Sequence, residues 1–304
     1  MRARVLIRMG SLAAVAFSAF LAYPPFMIAG PSGKGRTAQK GNTKPSSGSD
    51  AAAINLANIS TRLVVGTGNN VLIAGFIITG SQQKRVVVRG LGPTLPVSEN
   101  LADPTLELHS SSSGIVAAND YWRDTQQEEL QATTIPPRND YESAIVKSLE
   151  PGNYTVILAG RGATTGVGLV EVYDLNLTAD SKLANISTRG FVDQGDNVLI
   201  GGTIIVGDGM TNVLFRAIGP SLPDIPNRLQ DTTLELHDSQ GNILATNDNW
   251  EDSQADAIRA TTIPPSDPRE AAILHQLSPG AYTAIVRGKD NTTGVGLIEA
   301  YQLN

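Results

Sequence analysis

Asn247, Asp248, Asn249, Glu251 and Asp252 crowd around Trp250, and Asn119, Asp120 and Asp124 crowd around Trp122. Oxygen side chains clustered on a loop suit Ca²⁺, a hard ion that takes about six to eight oxygens from carboxylates, carbonyls and water. The ligand set to expect is Asn247, Asp248, Asn249 and Asp252 in the later stretch, and Asp120 and Asp124 in the earlier one. Calcium should bind less well in the earlier stretch, because Arg123 stands where the later one has Glu251. The competing reading is that Asn and Asp bond their own backbone in turns. The residue types weigh toward the turn, since the spacing is not that of an EF-hand and no glycine stands where that loop needs one.

Trp122 and Trp250 are the only tryptophans. An exposed indole would make each a ligand-binding residue by stacking on a sugar ring. A buried one would plug the open end of a sandwich and donate its N–H to a loop carbonyl. Burial is the expectation favoured here. The rest of the chain offers little catalytic chemistry: it has no HExxH or closely spaced histidines for zinc and no GxSxG elbow for a serine nucleophile. The carboxylate pair Glu251 and Asp252 would serve a glycosidase only if held across a cleft. TTGVG at 164–168 and 292–296 lacks the helix context of a phosphate loop and reads as a tight turn.

Both tryptophan loops are parts of one repeated unit. LANISTR at Leu56–Arg62 returns at Leu183–Arg189, and DPTLELH at Asp103–His109 returns as DTTLELH at Asp231–His237. The offset is 127 residues up to Gly92→Gly219 and 128 from Asp103→Asp231 onward, so one inserted residue separates the copies. A repeat of this kind has to be recognised before a fold is assigned.

The chain has 304 residues, 30 glycines, 17 prolines, no cysteine and 17% charged residues, which suits many short strands and tight turns better than helices. Residues 1–50 hold seven Lys/Arg and one acid; the remainder holds 16 bases and 28 acids. An acidic body argues against nucleic acid as a partner, because that affinity rests on neutralising phosphates. Arg2, Arg4 and Arg8 before the apolar run from Gly10 to Ala22 predict a signal peptide over 1–29. An uncleaved leader is the alternative, and the only route to a membrane. Residues 30–53 have the composition of a flexible linker. The expected localisation is therefore exported, whether periplasmic, extracellular or at the cell surface.

Short β-branched runs recur in each copy: 71–78, 85–89, 105–109, 115–118, 154–159 and 167–173 in the first, with turn formers between them. One brief helix is expected per copy, near Thr125–Ala132 and Ser253–Ala260, stopped by the shared TTIPP because two prolines cannot continue it. Arg62/Arg189 and Arg89/Arg216 are expected to pair with shared acids such as Glu107/Glu235 or Glu142/Glu270. The pattern predicts an all-β chain of two tandem antiparallel β-sandwich, jelly-roll-like domains over 54–177 and 183–304.

LELHDSQGNILATNDNW, LSPGAYTAIVRG and TGVGLIEAY in the second copy resemble the bacterial pre-peptidase C-terminal domain, a small β-sandwich appended to secreted hydrolases. The matching residues are Leu234-Glu235-Leu236, Asp238, Gly241, Ala245 to Asp248 and Pro279-Gly280-Ala281-Tyr282. In the first copy they are Leu106-Glu107-Leu108, Gly114, Asn119-Asp120 and Pro151-Gly152-Asn153-Tyr154. The resemblance covers roughly the last two thirds of each copy, and leaves out NISTR, GPSLP, the tryptophans and TTIPP. The complete unit is also similar to a tandem repeat of large secreted bacterial surface proteins. Both resemblances imply a sandwich fold and a non-catalytic extracellular role. The function expected is therefore binding or surface structure without enzyme activity, with polysaccharide or cell-envelope components as partners. A carbohydrate- or calcium-binding accessory module of a hydrolase system is the first alternative, and a secreted hydrolase with a carboxylate site the second.

Overall fold

A computed structural model of the chain describes residues 53–303. The expected signal peptide, and the linker apart from Ala53, lie outside the described residues. The described residues are all-β, with two short α-helices among them, α1 (Gln127–Ala132) and α2 (Ala255–Ala260). The first repeat supplies β1 (Asn55–Val65), β2 (Leu72–Gly80), β3 (Lys84–Leu91), β4 (Pro104–Ser110), β5 (Gly114–Asn119), β6 (Ser143–Leu149), β7 (Gly152–Gly160) and β8 (Gly166–Asp174). The second supplies β9 (Ser181–Val192), β10 (Leu199–Val206), β11 (Thr211–Ile218), β12 (Thr232–His237), β13 (Ile243–Asn247), β14 (Ala271–Leu277), β15 (Gly280–Gly288) and β16 (Gly294–Leu303).

Within the first repeat the strands pair in the orders β6-β3-β8-β1 and β2-β7-β4-β5, the jelly-roll arrangement of two antiparallel four-stranded sheets. The second repeats it as β14-β11-β16-β9 and β10-β15-β12-β13. The four half-sheets then join in pairs, because β1 also pairs with β10 and β9 also pairs with β2. By these ladders one layer runs β6-β3-β8-β1-β10-β15-β12-β13 and the other β14-β11-β16-β9-β2-β7-β4-β5, and the pair Val64–Phe191 between β1 and β9 links them into one 16-stranded sheet. Each layer is half first repeat and half second. Two tandem domains were expected, ending at 177 and starting at 183; β9 already begins at Ser181, and both sheets run across this join.

The layers pack face to face over one core that draws on both repeats, from Leu56, Ile59 and Leu63 through Leu106, Val156 and Leu158 to Leu234, Val286 and Ile298. Leu158 on β7 fills space left by Gly90 on β3 and Gly168 on β8, where an added Cβ would lie 2.6 and 2.8 Å from its methyl groups. Strand alternation sorts the residues: along β2, Leu72, Ala74, Phe76 and Ile78 are buried while Ile73, Gly75 and Ile77 are half-buried. Each inward leucine or valine contributes about 1.5–3 kcal/mol by leaving water.

The runs in β3 and β11 are buried on both sides, which a two-layer sandwich alone would not give. Val86 and Val88 face the shared core, whereas Val87 packs with Trp122, Leu130, Ala144 and Val146 on the outside of the sheet. In the second repeat Val213 and Phe215 face inward, and Leu214 packs with Trp250, Ile258 and Ala272. The segment from β5 to β6, and its counterpart from β13 to β14, thus forms an outer cover over its own repeat.

The helices stop before the prolines. Thr134 and Thr262 adopt the left-handed conformation at φ 65° and 66°, and the chain leaves the helix there. The prolines follow a turn that is already made. β1, β6, β9 and β14 were outside the apolar runs read from the sequence; β1 and β9, which carry NISTR, are the longest strands described.

Candidate functional site

The Asn/Asp loops begin where β5 and β13 end, at the side of the sandwich, and lead into the outer cover. Asn119 donates from Nδ2 to Tyr121 O and accepts at Oδ1 from the Ala144 amide of β6 at 2.9 Å. Asn247 does the same with Asn249 O and the Ala272 amide of β14, at 2.9 and 2.8 Å. These asparagines tie the edge strand of one layer to the edge strand of the other. The next outward-facing groups are covered by a glutamine: Gln126 accepts from the Val146 amide at 3.0 Å and donates to Val146 O at 2.8 Å. Gln254 makes the same pair with Leu274, at 3.0 and 2.8 Å. An amide side chain has one donor face and one acceptor face, so it stands in for a neighbouring strand and closes the edge.

Both tryptophans are buried, Trp122 at 2% and Trp250 at 6% exposure, and their Nε1–H groups donate to Asn139 O and Asp267 O at 3.2 Å. Burial and the loop carbonyl agree with the favoured expectation. The position differs from it, since each indole lies on the outer sheet face beneath its helix and not at the open end of the core. A guanidinium covers each ring: Arg123 at 4.1 Å from the Trp122 centroid, Arg259 at 5.1 Å from that of Trp250. The covering arginine comes from the loop in the first repeat and from α2 in the second. A sugar stacking on either indole would have to displace it.

Two of the carboxylates expected to ligate calcium, Asp120 and Asp248, are held by cations. Asp120 pairs with Arg161 at 2.6 Å and Asp248 with the equivalent Lys289 at 2.8 Å. Glu251 pairs with Arg259 at 2.6 Å, so the acidic surplus of the second loop is balanced by its own helix. Asp252 accepts from Asn249 Nδ2 at 3.1 Å, and the Asp124 and Asp252 amides close turns onto Tyr121 O and Asn249 O. Among the described residues no group of three or more histidine, aspartate or glutamate side chains is placed to hold a metal ion.

One acidic pair in each repeat was not anticipated. Asp103 lies beside Asp120, and Asp231 beside Asp248; in all four, Oδ1 is buried without a hydrogen-bond partner. Burial, then the neighbouring Asp120, holds the Asp103 carboxyl above its ordinary range against the pull of Arg161. Burial raises Asp231 as well, opposed by Lys289 and reinforced by Asp248. The signal was present in the register, since both aspartates of each pair recur at an offset of 128.

Inside the cover, Glu142 and Glu270 are fully buried. Glu270 accepts from the Gly219 and Ser221 amides, the Ser221 hydroxyl, and the Ser266 and Asp267 amides. Glu142 binds the corresponding Gly92, Thr94 and Asn139 groups. A carboxylate accepting several amides in a buried site is a structural anchor, and it fixes the GPTLP and GPSLP turns. Gly92 is required there, because a Cβ would fall 1.9 Å from Leu101 O. The partners expected for Arg89 and Arg216 are corrected: they pair with Glu171 and Glu299, beside Tyr173 and Tyr301. Burial and the adjacent Glu299 push the Tyr301 phenol up to about 12. Arg62 donates to Asp196 O at 3.3 Å, and Glu107 and Glu235 pair with His109 and His237.

Among the described residues are surface grooves that no side chain discussed so far fills. One of about 390 Å³ lies at the edge of the second repeat among Met210, Leu244, His275, Pro279 and Tyr282. Another, about 280 Å³, lies where the repeats meet, among Thr79, Asp180, Lys182 and Gln302. No described helix is long and apolar enough to cross a membrane.

No family model matches the chain, and no curated protein matches it. Among solved structures, the chain is similar to one described as the crystal structure of the STIV MCP, at 11% identity and a TM-score of 0.23, covering 82% of this chain and 96% of that one. A likeness of that size carries no argument about fold or function.

Proposed function

We propose that this is an exported, non-catalytic protein that works by binding or by building surface structure, with polysaccharide or cell-envelope components as partners. The observation that carries this reading is where the recurring polar residues spend their hydrogen bonds. Asn119/Asn247, Gln126/Gln254, Glu142/Glu270 and the two tryptophans all bond backbone of their own repeat. The repeated chemistry therefore serves the scaffold. Co-sedimentation of the purified chain with cell-wall polysaccharide and envelope fragments, beside turnover assays on glycoside, ester and peptide substrates, tests it. Binding without turnover is expected; product release that is lost in Asp248→Asn would replace this reading with the hydrolase one.

Calcium binding is a second reading, favoured by the unpartnered Oδ1 atoms of Asp103, Asp120, Asp231 and Asp248. Its ligands would be those paired aspartates and not the wider Asn/Asp loop. A calcium-dependent rise in melting temperature that disappears in Asp231→Asn together with Asp103→Asn supports it. No rise at millimolar calcium rejects it.

A further inference from the structure

The junction between the repeats is symmetric in its backbone pairing but not in every side chain: Leu63 of β1 fills the space over its own counterpart, Gly190 of β9, where an added Cβ would lie 2.4 Å from a leucine methyl group. Thr61 on β1 and Thr188 on β9 hold the same place in their repeats, and their hydroxyls share a 2.8 Å hydrogen bond between the layers. Val64 pairs with its own counterpart Phe191. On either side of this point the contacts exchange: Thr61 faces Gly201 while Thr188 faces Ala74, and Arg62 faces Ile200 while Arg189 faces Ile73. Both ladders also carry a register shift at the same place, between Leu56 and Asn58 and opposite Leu183 and Asn185. The β10–β11 turn receives Ala53 as the β2–β3 turn receives Asp180; a Cβ on Gly207 or Gly80 would lie 2.4 Å from the carbonyl of each.

In an isologous contact, residue i of one unit meets j of the other and j meets i, and a two-fold axis relates the two. The backbone ladders of the junction follow that rule although they lie within one chain, while Leu63 against Gly190 makes the two halves of the seam unlike, so each repeat's surface complements the other's. We propose that the β1/β2 surface of the first repeat and the equivalent β9/β10 surface of the second are docking surfaces for each other, so that the same seam closes between two molecules of this chain when closure within one is prevented. This inference holds whichever reading of the function is right, since its tests read mass and partner identity alone.

The residues that hold the seam within one chain are few. Asp174 ends β8 in one layer and Ser181 begins β9 in the other, with residues 175–180 between them. Asp180 O accepts from the Ser81 and Gln82 amides at 2.8 and 3.3 Å, which fixes the end of the join to the β2–β3 turn. Deleting 175–179 leaves two Cα–Cα steps, at most about 7.6 Å, against a sheet spacing of about 10 Å. β9 then cannot reach β2 of its own chain, while β2 of another chain stays open to it.

The test is the solution mass of the full chain carrying that deletion, by light scattering. A folded dimer of twice the 32.0 kDa chain, or a larger closed ring, is the expected result; a folded monomer overturns the proposal. Should the deletion prevent folding, a protease site inserted between Thr178 and Ala179 of the otherwise intact chain decides the matter. After cleavage, tagged and untagged nicked protein are mixed, unfolded and refolded together. With the tag on the first repeat, recovery of second repeat without untagged first repeat is expected, the seam having formed between separate pieces. Recovery of tagged first repeat alone, or of untagged first repeat with it, would overturn the proposal.

Discussion

Lys84 and Asp174 form an ion pair at 2.8 Å in which both side chains are out of reach of solvent, and the second repeat puts Thr211 and Gln302 in their place. The ammonium also donates to Asn176 O at 2.6 Å. One repeat holds this corner with charges and the other with a neutral pair, Gln302 donating to Thr211 at 3.4 Å. The two solutions fit the same backbone.

Breaking such a pair strands a buried charge, whereas replacing both partners does not. Lys84→Met should therefore cost about 3–5 kcal/mol in urea unfolding. The double change Lys84→Thr with Asp174→Gln should stay within about 1 kcal/mol of the parent. A single substitution as mild as the double one would show that the pair is not desolvated in solution.

Gln254 gives the edge of β14 its missing partner. Gln254→Ala leaves the Leu274 amide and carbonyl without the side chain that covers them, at a cost of about 1–3 kcal/mol. The freed edge should also raise light scattering on storage. Gln254→Glu keeps the acceptor and loses the donor, and should fall between the two. Loss of stability without self-association would mean that the outer cover still hides the strand.

His237 is buried, with Nε2–H donating to Glu235 at 3.1 Å and Nδ1–H to Gly241 O at 3.3 Å. The Glu235 carboxylate, first, and the Gly241 carbonyl raise its pKa above 6.5, against the opposing pull of burial and Arg287. The same bond to His237 lowers Glu235 below 4.5. A raised histidine contributes stability that is complete below about pH 6.5 and lost as pH rises through the folded-state value. A lowered glutamate contributes above about pH 4.5 and loses that contribution as pH falls through its folded-state value. The pair should stabilise most between these limits, so unfolding free energy should drop from about pH 5.5 to about pH 8.5 and drop less in His237→Gln. An unchanged pH slope in that variant would remove His237 as the cause.

Thr134 and Thr262 hold a left-handed conformation that is costly for a β-branched residue. Thr262→Gly should raise stability by up to about 1 kcal/mol, because relief of the strain exceeds the added freedom of the unfolded chain. A loss in thermal melting would mean that the Thr262 side chain makes contacts worth more than the strain.

Much of the secondary structure was legible in the sequence. Leu106, Glu107 and Leu108 alternate as a half-buried strand should, and they do line β4 with the leucines inward. Turn formers stand between the apolar runs, and Gly66–Asn70 and Ser113-Gly114, two such groups, do lie at turns between strands. Strands β6 and β14 were missed because SAIVKSL and AAILHQL carry only short apolar stretches, and their pairing partners lie far away in the chain. The candidate site was half visible. Its tryptophans and asparagines stood out by type, but the residues that neutralise or complete them, Arg161, Lys289, Gln126 and Gln254, look like ordinary surface side chains in a linear reading.

By itself the sequence determined that the chain is built twice from one all-β unit, because residue alternation, turn chemistry and internal register are local properties that need no partner. Only the tertiary structure decided that the repeats share both sheets, that each tryptophan lies outside the core beneath an arginine, and that Asp120, Asp248 and Glu251 are balanced by cations. The reason is one of distance: Asp248 meets Lys289, Thr61 meets Thr188 and Asn58 meets Ile204 only after the strands between them have paired. Backbone ladders accept any strand with a free edge, so neighbours were chosen by which apolar faces and unsatisfied polar groups were left once each repeat had folded.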